Sequence, residues 1–530
     1  MDIRHSIIKF LHWIRFSLVL LVSSVFMNSC SNAPAIKNTS QSASLSWAET
    51  ALANQLHVLN RVTWGANSSA LAELNSVGLE RYLEEQLQPN PRVALPLAVQ
   101  SQIAALEITQ KTLTQQATML EKERQAFQTI INDDTKKTAQ EAYQKHLNTL
   151  AQETATRAIL RDLYSPKQLQ EQMTWFWLNH FSIFQGKANI CFMSADYEDQ
   201  IRNHALGRFR DLLSVTAHHP AMLRFLDNEQ NAVGHINENY AREIMELHTL
   251  GFDGGYSQQD VQALARVLTG VGVNLNDNSP IFAKQEMQKQ YVRDGLFEFN
   301  PRRHDYSDKM FLGKTVKGRG LAEVDEVLDR LARHPATAHF ISLKLAQYFV
   351  SEHPPSALVE RMAQSYLAHD GQIASVLRIM FQAPEFHASL TQQFKDPVHY
   401  VTSAVRLAYD DKVILNAKPM INWLNRMRQL RFGRQTPDGY PMTEAAWASS
   451  GQMTTRFEIA KKIGNGNAGL FKSANPAVRE HAAFPQLANA LYYQAWQDTL
   501  SANTKSALDQ ATSPQEWNEF LLSSPEFMHR

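Results

Sequence analysis

The segment 237–270, NENYAREIMELHTLGFDGGYSQQDVQALARVLTG, constrains the fold more than any other stretch of the chain. At about 100° per residue, Tyr240, Ala241, Ile244, Met245, Leu247 and His248 fill one arc of a helix over 239–250. Asn239, Glu243 and Glu246 stack on the other side, with Arg242 and Thr249 beside them. This is an amphipathic helix, oily side docked inward and polar stripe toward water. Gly251 is the C′ glycine that stops it. Phe252-Asp253-Gly254-Gly255-Tyr256 then makes a tight turn, Ser257 and Asp260 a capping pair, and Val261, Leu264, Ala265 and Leu268 the core stripe of a second helix. His248 points nearly opposite the two glutamates, so this helix alone does not supply a metal site from Glu243, Glu246 and His248.

The same helical spacing runs through most of the chain. With 21 glycines and 20 prolines in 530 residues, breakers fall below their usual share of roughly 12%, which favours long helices. Leu52, Leu56 and Leu59 mark a helix ending near Trp64-Gly65, and a short helical pair follows around Gly78. Residues 97–163 read as a helical hairpin, an insertion with a narrow apolar seam (Leu106, Leu113, Leu120, Phe127, Ile131, then Leu147, Leu150 and Ile159) and a break at Asn132-Asp133-Asp134. A helix opens behind Ser165-Pro166 with adjacent Trp175, Phe176 and Trp177, which demand burial on most sides. Another helix is expected over Asp196–Val215, and His334-Pro335 starts a strong one through Val350 with Phe340, Ile341, Leu345 and Phe349 inward. Residues 296–316 break the pattern and suggest one small β-hairpin joining the Phe297/Phe299 run to Met310–Gly313. Ala383-Pro-Glu-Phe386 and Ser524-Pro-Glu-Phe527 echo one another after helical stretches. The expected fold is all-α: a composite helical domain over 47–530 with a small β-hairpin and the 97–163 hairpin.

The first thirty residues read as a targeting segment. Arg4, Lys9 and Arg15 precede twelve uncharged residues, Phe16–Met27, shorter than the span of about 20 needed to cross a bilayer. Met27-Asn-Ser-Cys30 resembles a lipobox, whose cysteine is acylated and becomes the new N-terminus; an uncleaved signal anchor is the competing reading. Residues 31–46 are small and polar, a tether. Ser31 after Cys30 favours, by resemblance to Gram-negative lipoprotein sorting, the inner leaflet of the outer membrane. The expected partner is therefore the membrane, through an N-terminal lipid. The 52 basic and 52 acidic residues balance, which argues against nucleic acid.

Four blocks, ENYAREIMELHTLGFDGGYSQQDVQALARVLTG (238–270), HD…K.FLG (304–313), HPATAHFISLKLAQYFV (334–350) and MTWFWLNHF (173–181), together resemble the bacterial family catalogued as domain of unknown function 1800. LGRFRDLLSVTAHHPAMLRFLDN (206–228) and the terminal SPEF strengthen the likeness. Val271 stands where the family usually has tryptophan, and Tyr306-Ser307 where it has Pro-Gly. The resemblance implies an exported, mostly helical protein, often encoded beside a second exported family that resembles sulfatases and alkaline phosphatases. It implies no particular reaction.

No zinc-helix, phosphate-loop, nucleophile-elbow or haem-attachment signature is present. The catalytic candidates are constellations. Glu243 and Glu246 with Arg242 suit an ion-paired acid site, one carboxylate held ionised and the other free for base work; Arg242 and Glu246 also suit a plain i,i+4 surface pair. His304 and Asp305 on a turn suit a general base or metal ligands, or a turn-stabilising pair. His180, Glu243 and His304 are the candidates for a divalent metal, though His180 and His248 equally suit buried, hydrogen-bonded histidines. Two functions follow: a binding or assembly module working with an exported, sulfatase-like partner, or an envelope hydrolase, metal-dependent or not, using the 238–260 and 304–305 motifs.

Overall fold

The computed structural model describes residues 52–89, 94–276, 278–472 and 484–530. The targeting segment 1–30, Cys30 and the tether 31–46 lie outside the described residues. The rest is predominantly helical, as composition and spacing predict, and its apolar side chains form one continuous core. Among the described residues no helix is long and apolar enough to cross a membrane.

The helix Leu52–Val62 is followed by Ser68–Val77 and Leu79–Leu87, which meet at Gly78 (φ +84°). The 97–163 region begins with two short helices, Leu97–Ala104 and Glu107–Gln110, before the long pair Leu113–Gln128 and Asp133–Tyr164. Asn132 caps the second by accepting from Thr135 N (2.9 Å). Leu120, Tyr143, Leu147 and Leu150 close the seam. Ile131, assigned to that seam by register, is 96% exposed, because the first helix ends at Gln128 and Ile131 sits in the turn beyond it. The last turns of Asp133–Tyr164 carry Arg157, Arg161 and Asp162 into a buried ionic network. Arg431 bonds Asp162 (2.6 Å) and Glu198 (3.1 Å), Asp199 joins Arg157 (2.9 Å) and Arg161 (2.5 Å), and Arg202 pairs with Glu171 (2.6 Å).

The aromatic helix is Gln168–His180, buried along its length except at Asn179. It starts two residues beyond Ser165-Pro166, since Ser165 closes the preceding helix and its hydroxyl receives Lys167 N (3.2 Å). The single helix expected over 196–215 is two, Ser194–His204 and Phe209–His218, parted at Gly207. Main-chain pairing with the 371–374 segment (Phe209 N to Gly371 O, Ile373 N to Gly207 O, both 2.9 Å) takes the hydrogen bonds that a continuous helix would have used.

The expected hairpin over 296–316 resolves into two sheets. β3 (Phe297–Phe299) lies between β1 (Val271–Val273) and β2 (Val292–Asp294), antiparallel to both. β4 (Lys309–Phe311) pairs with β5 (Lys314–Val316) alone. Every residue of β3 is buried, so it takes a partner on each edge rather than one hairpin mate. Pro335–Phe349 follows its His334 cap as predicted, with Ile341, Leu345 and Phe349 buried and Phe340 half-buried. Both Pro-Glu-Phe echoes drive their phenylalanine, Phe386 and Phe527, into the core.

Candidate functional site

The 239–250 helix is wound in two ways. Asn239–Glu243 is α-helical, but Ile244–Thr249 is a π-helix, with Leu250 N donating to Met245 O (2.9 Å) and Thr249 Oγ1 to Ile244 O (2.7 Å), each five residues back. The wider turn shifts the phase, so two wheel positions change sides. Thr249, expected beside the glutamates, is buried, and Leu247, expected in the oily arc, is half-exposed. Such π-turns recur at functional sites. Tyr240, Ala241, Ile244 and Met245 face the core as predicted.

Glu243 and Glu246 stay together on the polar stripe. Arg242 spans Glu246 (3.3 Å) and Glu238 (3.2 Å) and donates to Gln258 (2.9 Å). Glu243 has no hydrogen-bond or ionic partner among the described residues. Partial burial, then the charges of Glu246 and Asp438, raise its carboxyl above the usual range against the pull of Arg242. Burial, then Glu246, pushes the Tyr256 phenol up to about 12. Gly251 ends the helix at φ +78°, and Ser257 and Asp260 form the predicted capping box.

Beside this stripe opens a cleft of about 260 Å³. Phe176, Leu247, Phe340, Leu343 and Met442 make its apolar wall, and Phe252, 72% exposed, stands at its edge. Its polar groups are His180, Asn179, Lys344, Gln347 and Asp438. Asn179 clamps the 433–442 loop by accepting from Tyr440 N (2.6 Å) and donating to Tyr440 O (3.0 Å). Gly439 (φ +75°) permits that approach, since a Cβ there would lie 2.2 Å from Asn179 O. Arg434 and Thr436 hold the Asp438 carboxylate and, against burial, keep it below its usual range.

His180 is oriented by one bond, Nε2 to His248 O (3.0 Å). A carbonyl only accepts, so Nε2 carries the proton. Burial, then His248 and Lys344, hold the imidazole well below its usual range. The ring is therefore neutral, and Nδ1 is a bare acceptor. Among the described residues Lys344 makes no ion pair; its ammonium lies 5.7 Å from the Phe340 ring centroid, and burial lowers it while Asp438 opposes. An acceptor and an ammonium of weakened basicity thus line one aromatic-walled cleft, and Glu243 feels the charge of the Asp438 carboxylate on its wall.

His248 departs from expectation. It is fully buried against Phe181, His180 and Tyr240 (ring centroids 5.0, 6.1 and 6.5 Å), yet among the described residues neither ring nitrogen has a partner. Burial alone takes it down to about 3.

The structure does not bring His304 and Asp305 to this cleft by any hydrogen bond or ion pair. His304 is buried, its nitrogens facing Thr269 O (2.7 Å) and Glu323 Oε1 (2.9 Å), and Lys309 bonds the other Glu323 oxygen (2.5 Å). Burial would raise the Glu323 carboxyl, but hydrogen bonds from His304 and Lys309 outweigh it and lower it. Asp305 is taken by Arg266 (2.7 Å) and Ser307. The metal set His180, Glu243 and His304 is not assembled: both His304 nitrogens are occupied, by Thr269 O and Glu323. Among the described residues no group of three or more His, Cys, Asp or Glu side chains is placed to hold a metal.

Lys344, Asp438 and Asn179 escaped the sequence reading. A faint signal existed: Phe340, Leu343, Lys344 and Gln347 share one face of a helix whose other faces are buried. The Gly433–Pro441 loop is visible as glycine- and proline-rich, but its docking on Asn179 is a tertiary event.

A family model described as protein of unknown function (DUF1800) matches residues 57–529. The chain belongs to that family, which confirms the likeness read from its motif blocks. None of the curated proteins and none of the solved structures compared matches it.

Proposed function

We propose that this protein is a binding or assembly module of the cell envelope, held by a lipid on Cys30 at the inner leaflet of the outer membrane, with 31–46 as its tether. It receives a projecting group of an exported, sulfatase-like partner in the 176–252–340 cleft. The observation that carries this reading is Phe252: a large ring left 72% exposed on a glycine-framed turn, at the edge of an aromatic cleft with a few polar groups, is the form that binding hot spots take. Lys344 and His180 Nδ1 supply one donor and one acceptor to orient what enters. The test replaces Phe252 by a photo-crosslinking phenylalanine in the full chain and solubilises the membranes in mild detergent. A discrete adduct with the exported partner, reduced by Lys344→Ala, is expected; a chain recovered alone refutes the reading.

The second reading, an envelope hydrolase, is favoured by one observation, the partnerless Glu243 carboxyl with raised proton affinity. In that reading Glu243 is the acid–base group, and Glu243→Gln abolishes turnover while leaving the adduct unchanged.

A further inference from the structure

A second cavity, about 330 Å³, is lined by residues of the helix Leu52–Val62, the corner at Thr391, the Trp496 turn and the 525–530 segment. Its wall is rich in donors without partners. Asn60 Oδ1 accepts from Ala66 N (2.9 Å), which fixes the amide and leaves Nδ2 unused among the described residues. Among the described residues the Thr391 hydroxyl and the His57 ring make no hydrogen bond, and Trp496 Nε1 and Arg530 Nε are buried without partners. The acid on the wall, Glu526, is already satisfied by Ser501 N (2.9 Å) and Thr504 Oγ1 (2.8 Å). Thr391 sits at φ +71°, a conformation that is costly for a β-branched residue.

The field behind the wall is positive. Arg61 is fully buried and its guanidinium meets main-chain oxygens and the Ser389 hydroxyl. Arg456 and Arg530 add buried guanidiniums that feel the Asp396 carboxylate, and burial beside these two arginines holds the Lys395 amine well below its usual range. Buried cationic groups are costly unless anions or acceptors meet them.

We propose that this cavity binds an oxyanion, a phosphate group carried by a small organic molecule or by a lipid headgroup. Unpaired donors come from four chain segments, and the carboxylate on the wall, Glu526, is engaged by Ser501 and Thr504, so the fitting ligand is rich in acceptors. A tetrahedral oxyanion meets donors from several directions better than a planar carboxylate does. The volume, near that of ten waters, leaves room for a substituent. This site is independent of the cleft at Lys344.

The test titrates the full chain in detergent micelles with inorganic phosphate, glycerol 3-phosphate and short-chain phosphatidylglycerol, reading heat and thermal stabilisation. Saturable binding is expected; tighter binding of glycerol 3-phosphate assigns a soluble source, tighter binding of the phospholipid a headgroup. Asn60→Asp keeps the acceptor for Ala66 N but sets a negative charge on the wall, and should weaken binding at least about tenfold while raising the melting temperature in phosphate-free buffer. Trp496→Phe removes one donor while keeping an aromatic ring in place and should weaken binding about three- to tenfold. Lys344→Met should leave it unchanged. Absence of saturable binding of all three probes up to about 10 mM, or binding unaffected by both wall variants, overturns the proposal.

Discussion

Gly251 and Gly255 offer a controlled measurement of how the glycine turn shapes the cleft. Both sit at φ +78°, four residues apart in the same turn. Alanine at either position incurs the left-handed backbone penalty, about 1–2 kcal/mol. The surroundings differ. A Cβ on Gly255 meets nothing within 4 Å, whereas on Gly251 it lies 2.9 Å from Phe340 Cδ2 and 3.3 Å from Cε2. Phe340 is a ring on a buried helix and moves only by displacing its neighbours in the cleft, an overpacking cost of about 1–3 kcal/mol. Gly255→Ala should therefore lose about 1–2 kcal/mol and Gly251→Ala about 2–5 kcal/mol. Equilibrium urea unfolding followed by tryptophan fluorescence reads both, with unchanged slope as the check that only the folded state is affected. Gly251→Ala alone should also change the accessibility of Lys344, the neighbour of Phe340 in the cleft wall. Equal losses in the two variants would refute the assigned role of the Phe340 contact.

Three further outcomes follow from the buried polar groups. Glu323→Leu strands His304 and Lys309, both buried, and should cost about 3–5 kcal/mol; the Glu323→Leu/Lys309→Met pair should recover part of that, and a loss below 1 kcal/mol in urea melts would show the network to be dispensable. His248, near 3 when folded and near 6.5 when unfolded, contributes stability that is fully present above about pH 6.5 and is lost as pH falls toward the folded value, because the unfolded chain binds the proton first; His180 and His399 (about 4) act in the same direction. His248→Leu should flatten the acid limb of the stability–pH curve by about one proton and leave neutral-pH stability equal or higher, since neither ring nitrogen is bonded; an unchanged acid limb would refute it. Lys344, its basicity lowered by burial, should react with an amine-acylating reagent near pH 8 faster than the fully exposed lysines when rates are corrected for accessibility by peptide mass spectrometry, and a rate below theirs would contradict its placement in the cleft.

The local code of this chain is legible one element at a time. The Ser257–Asp260 box, the Gly251 stop, the Asn132 cap and the His334-Pro335 start all use bonds within about four residues, so side-chain chemistry and spacing define them without the rest of the fold. The buried aromatic helix follows from three adjacent large rings that no single face can hide, and the motif blocks were sufficient to place the family. What tertiary structure alone decided lies where long-range partners compete with local ones. The 371–374 segment splits the 196–215 helix by taking its main-chain bonds, and β3 takes β1 and β2 rather than β4. The phase of residues 244–249 rests on a π-turn that a fixed 100° wheel does not contain, which is why Thr249 went in and Leu247 out. The cleft is the extreme case: Lys344, Asp438, Asn179 and His180 come from three distant segments, and the perturbed basicities of His180 and Lys344 arise from burial and from charges that only the fold brings near. Desolvation and Coulomb energy depend on distances in space, and a linear sequence carries those only after the chain has folded.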